Sequence, residues 1–120
     1  MPAVYSEYAL ELASSPVEWG LLMVSAMDEF IQAQPGTPNE LLRVQRDAFK
    51  LTVGMDYDNL LYAQGFIKAA AGVVLTEKGS TPSVKHISLW GKYTTLADLG
   101  LEARLILASL LRDLTLELLA

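Results

Sequence analysis

His86 is the only histidine in the 120-residue sequence, and so the only side chain whose ordinary pKa lies near neutrality. It stands in Ser83-Val-Lys-His-Ile-Ser-Leu-Trp-Gly-Lys-Tyr93, between Lys85 and Lys92. A histidine acting as general base needs a neighbour, usually a carboxylate, to orient it. From Lys78 through Ala97 there is no acid to do so. Nucleophilic chemistry is no better supplied, because the chain has no cysteine and no Gly-x-Ser-x-Gly. No catalytic residue is therefore expected, and the chain does not read as an enzyme. A pocket joining His86 to a carboxylate would reverse that.

Metal and cofactor chemistry meet the same shortage. One histidine cannot form a ligand cluster within one chain. Asp56 and Asp58 in Asp-Tyr-Asp-Asn suggest a calcium loop, but that loop needs glycine at its sixth position and glutamate at its twelfth. Leu61 and Ile67 stand there, so the two aspartates read as turn and cap residues. Ala63-Gln-Gly-Phe-Ile-Lys-Ala-Ala-Ala-Gly72 is not a phosphate-binding glycine loop, since no strand precedes it. No cofactor is expected.

Lys85, Trp90, Lys92 and Tyr93 interleave cations with aromatics, a pattern that can grip phosphates and stack bases. The whole chain carries a net charge of −5, however, and Lys78, Lys85 and Lys92 are a thin electrostatic footprint. Arg43, Arg46 and Lys50 would suit a recognition helix, but Glu40 and Asp47 share their helix. Nucleic acid is thus not the expected partner. Residues 1–42 hold six acids and no base, whereas 78–97 hold only bases, a polarity that can steer one copy onto another.

The elements that would position these residues are helical. Ser15, Pro16 and Glu18 form a capping box with proline at the first helical position, starting a helix over about 16–34 that Pro35-Gly36 stops. Thr37, Pro38 and Glu40 repeat the device for 38–53, with Leu41, Val44, Ala48 and Leu51 as the apolar face and Gly54 as terminator. A third helix covers 58–78, capped by Asp56 or Asp58 and closed by Lys78 and Gly79. A fourth covers 96–119, from a Thr95/Asp98 box. The sequence also allows a short N-terminal helix over Tyr5–Ala13. Residues 80–94 read as irregular or extended. The expected fold is all-α, one domain over 1–120.

Gly65 and Gly72 each weaken the third helix by about 1 kcal/mol relative to alanine, so close packing must compensate. In the fourth helix, Leu96, Leu99, Ala103, Leu107, Leu110, Leu111, Leu114 and Leu118 form one core stripe. Leu101, Leu105, Ala108, Leu116 and Leu119 gather on a second side, one that another protein would cover. Lys85, Ile87, Leu89, Trp90, Lys92 and Tyr93 offer an apolar anchor with a polar rim. These eleven residues are the expected interface. Leu-Leu-x-x-Gln recurs at 41–45 and 60–64, an echo that similar packing would explain.

No run is long and apolar enough to span a membrane, and the acidic N-terminus is unlike a signal peptide, so a cytoplasmic location is expected. Apolar residues reach 52% and charged residues only 19%, more apolar than a monomer of this size needs. Leu60, Leu61, Gln64 and Gly65 resemble a Leu-Leu-x-x-Gln-Gly helix in small helical proteins of tailed-bacteriophage morphogenesis regions. Lys68-Ala69-Ala70 and Val73-Val74-Leu75 depart from that pattern, and the likeness covers residues 60–77. The resemblance implies a virion or assembly component and carries no catalytic residue. The expected function is structural or assembly work through protein–protein contacts, with copies of itself or other assembly proteins, in the cytoplasm or a virion. The alternative is a small regulatory module acting on nucleic acid or on a nucleic-acid-binding protein.

Overall fold

Helices account for nearly all of the computed structural model, which describes residues 15–55, 57–79 and 96–120. They are α1 (Pro16–Ala33), α2 (Glu40–Leu51), α3 (Tyr57–Lys78) and α4 (Leu96–Leu119), with no strand among the described residues. The all-α, four-helix expectation holds. The N-terminal helix, Asp56 and the 80–94 segment lie outside the described residues, as does the side chain of Asp58.

Local chemistry sets most of the helix ends. Ser15 is extended and its Oγ accepts the Glu18 N–H at 3.3 Å, while Pro16 opens α1. The start of α2 differs from expectation. Asn39, not Thr37, is the cap: its Oδ1 accepts the Leu41 N–H at 2.9 Å, and its own N–H donates to Gln34 Oε1 at 3.0 Å. Asparagine caps better than threonine, and the Gln34 bond holds it in place, so Pro38 remains in the turn. Gly54 at φ +92° and Gly79 at φ +69° follow α2 and α3 in the left-handed region. The Gly79 N–H closes α3 on the Leu75 carbonyl at 3.0 Å.

The helices pack in the ring α1–α2–α3–α4, with α4 returning to α1. Trp19 at the start of α1 meets Phe49 at the end of α2, edge to face at 5.9 Å, so these two run antiparallel. Asn59 at the start of α3 donates through Nδ2 to the Phe49 carbonyl and to Thr52 Oγ1, both at 3.3 Å, so α2 and α3 are antiparallel too. Lys78 Nζ donates to the Ala120 backbone oxygen at 3.1 Å. That bond puts the C-terminal ends of α3 and α4 together, so α4 runs parallel to α3 and to α1. Trp19, Met23, Met27, Phe30, Leu42, Phe49, Phe66, Ile67, Leu111 and Leu114 fill the centre, all fully or almost fully buried.

Two sequence readings change. On α2, the buried side chains are Leu42 and Phe49, while Leu41, Val44 and Leu51 are exposed, Leu51 at 83%. The apolar arc of α2 is about 180° wide at 100° per residue, and the bundle uses the half not expected. The Leu-Leu-x-x-Gln echo is not equivalent packing either. Leu41 is exposed where its counterpart Leu60 is buried, and Leu42 is buried where Leu61 is exposed.

Gly65 is explained by a neighbour. A Cβ there would stand 2.7 Å from Gln45 Oε1, so the α2 amide occupies the space that a side chain would take. Gly72 has open space instead, with nothing within 4 Å of its Cβ position.

Candidate functional site

Once the core is filled, apolar surface remains on two opposite sides of the ring. The first lies between α1 and α4. Glu29, Gln32 and Ala33 form one wall and Arg112, Thr115, Leu116 and Leu119 the other, around a groove of about 430 Å³. Leu116 is 55% exposed and Leu119 64%. Thr115 is polar but already satisfied, since its hydroxyl donates to the Leu111 carbonyl at 3.0 Å. Glu29 and Arg112 carry opposite charges on facing walls, yet neither enters an ion pair among the described residues.

The second groove lies between α2 and α3 and is larger, about 570 Å³. Leu41 stands on its α2 wall beside Asn39, with Ala69, Gly72, Val73, Thr76 and Glu77 on its α3 wall and Gln34, Pro35 and Thr37 at its end, so its lining is mixed rather than apolar. Its α2 wall continues into the exposed stripe of Val44 and Leu51.

Only part of the expected interface falls on this surface. Leu116 and Leu119 line the first groove as free leucines. Ala108 is half-buried and packs against the core. Leu105 is a correction: it is only 4% exposed and belongs to the core cluster. It lies on the opposite side of α4 from the main stripe, so at that level the chain itself covers both sides of the helix. Among the described residues, the free part of the second side is at Arg112, Leu116 and Leu119. Lys85, Ile87, Leu89, Trp90, Lys92, Tyr93 and the side chain of Leu101 lie outside the described residues, as does His86.

Leu41, Val44 and Leu51 were assigned to the core by helical spacing, so the sequence reading missed them as surface. Their signal was the width of the α2 arc, which exceeds what one neighbour can cover.

The cations of α2 are partly committed. Arg46 donates to Asp28 of α1 and to Asp47, each at 3.1 Å. Burial opposes its charge, but the hydrogen bonds to Asp47 and Asp28 outweigh that and raise its pKa. Arg43 and Lys50 remain exposed, beside Glu40 and Asp47. Among the described residues, no group of three or more acidic, histidine or cysteine side chains is placed to hold a metal ion. None of the described helices is long and apolar enough to cross a membrane. Comparison with protein-family models, with curated proteins and with solved structures finds no match.

Proposed function

We propose that this chain is a structural or assembly protein that works through protein–protein contacts, as a homo-oligomer or as one subunit of a larger particle such as a virion. The observation that carries the reading is the pair of grooves on opposite sides of the ring, α1/α4 and α2/α3, each bordered by exposed leucines. A subunit with two contact faces can join more than one neighbour, which a closed pair does not require. Exposed leucines on both faces support it, because a bundle with a complete core leaves few of them clustered without a use. The phage-morphogenesis likeness at Leu60, Leu61, Gln64 and Gly65 supports the same reading, in which the protein works in the cytoplasm or in the assembled particle.

Light scattering from low to high micromolar concentration tests this reading, alone and with any protein that co-purifies. The expected result is a mass above 13.1 kDa that falls when Leu116→Ser and Leu41→Ser are combined. A chain that stays at 13.1 kDa throughout, with no effect of either substitution, counts against it.

A further inference from the structure

We infer that the α1/α4 groove is a two-fold contact between two copies of this chain, with Glu29 of each copy paired to Arg112 of the other. The inference rests on the assembly reading and names the partner of one of its two faces.

The charges identify the occupant. Glu29 and Arg112 line one groove from opposite walls, beside its exposed leucines, and find no ion-pair partner among the described residues. A face carrying one acid and one base on opposite walls is complementary to itself, as an isologous contact requires. A partner of single-sign charge would satisfy only one of the two.

Helix direction then fixes the symmetry axis. Helices α1 and α4 run in the same direction, and Glu29 and Arg112 are each the first residue of their wall, so both stand at the same end of the groove. A two-fold axis parallel to the helices lays the α1 of one copy over the α4 of the other. Glu29 then meets Arg112 twice, and Leu116 and Leu119 close on Gln32 and Ala33 of the second copy. An axis across the helices, through the middle of the groove, would instead lay α1 over α1 in the opposite direction, with Glu29 against the far end of the other copy's α1 wall. Neither charge then meets its opposite, so the charge pattern selects the parallel axis.

Charge reversal and cysteine pairing test it in the full chain. The native protein is expected at twice 13.1 kDa or a multiple of that mass. Glu29→Arg and Arg112→Glu should each weaken the two-fold contact at least tenfold, with helix content unchanged because both sites are exposed. The double variant E29R/R112E should restore the contact. The chain has no native cysteine, so mixed E29C and R112C proteins should form a disulfide-linked heterodimer on mild oxidation, while E29C alone should not. An oligomer indifferent to both charge reversals, or one in which E29C links to itself, overturns this inference and leaves the assembly reading standing. A chain that is monomeric at every concentration overturns the inference and the self-association half of that reading together.

Discussion

The side-chain amide of Gln45 lies over the bare backbone of Gly65, where a Cβ would come within 2.7 Å of Gln45 Oε1. The same distance separates a Cβ at Gly20 from Val53 Cγ1, yet the two sites should respond with opposite sign. Gln45 is a flexible side chain, and its buried Oε1 has no hydrogen-bond partner. Swinging it outward relieves that unsatisfied group, and alanine in the helix gains about 1 kcal/mol. Gly65→Ala should therefore raise stability, by up to about 1 kcal/mol. Val53 is β-branched and stiff, with its Cβ 3.4 Å from the same position, so Gly20→Ala should cost about 1–3 kcal/mol. Urea midpoints of the two variants check both signs.

Asn59 is fully buried, and its amide joins the start of α3 to the end of α2. Asn59→Ala should lose about 2 kcal/mol, roughly 1 for each bond. Asn59→Asp should lose more at neutral pH, since a carboxylate would face the Phe49 carbonyl. Burial raises a carboxyl pKa in the folded state. The variant should then be most stable below about pH 4, where the unfolded carboxyl is also protonated, and weaken as pH rises past that point. Stability that is flat with pH would place the substituted side chain in solvent.

Leu105 and Leu116 share a side of α4 but not a role. Leu105→Ala should cost about 2–5 kcal/mol as a core truncation. Leu116→Ala should stay within about 0.5 kcal/mol for folding and act on association instead. Thermal melts, paired with light scattering, separate the two.

Arg46 bridges α1 and α2 through Asp28 at partly exposed positions. Arg46→Ala should cost no more than about 1 kcal/mol, and raising the salt should shrink the difference. The raised pKa keeps Arg46 charged in the folded chain, and the ordinary basicity of guanidinium keeps it charged in the unfolded chain, at any working pH. Its contribution would be lost only in strong alkali, so salt, not pH, is the variable to scan.

The signals that the sequence carried well were covalent and local. Ser15 with Pro16, and the glycines at 54 and 79, mark ends that backbone geometry nearly dictates. The choice between Thr37 and Asn39 depended on Gln34, five residues back, which a spacing rule does not see. Which half of the α2 arc is buried depended on where α1 and α3 stand. Periodicity gives the width of an apolar face but not its rotation, so Leu41 and Leu42 exchanged roles. For α4, spacing found a second apolar side. It did not show that the chain covers that side at Leu105 and leaves it open at Leu116 and Leu119.

The shared direction of α3 and α4 has a consequence for how the chain reaches its native state. Helices α1, α2 and α3 meet as consecutive antiparallel neighbours across short turns, so their contacts are local and form early. The wall opposite Glu29 is supplied by Arg112, about eighty residues later, across the longest stretch between helices. Closing so large a loop is slow compared with forming a helical hairpin. Helix α4 should be the last element to dock, and the groove at Leu116 and Leu119 would exist only after it has. Association through that face would then be barred to incompletely folded chains.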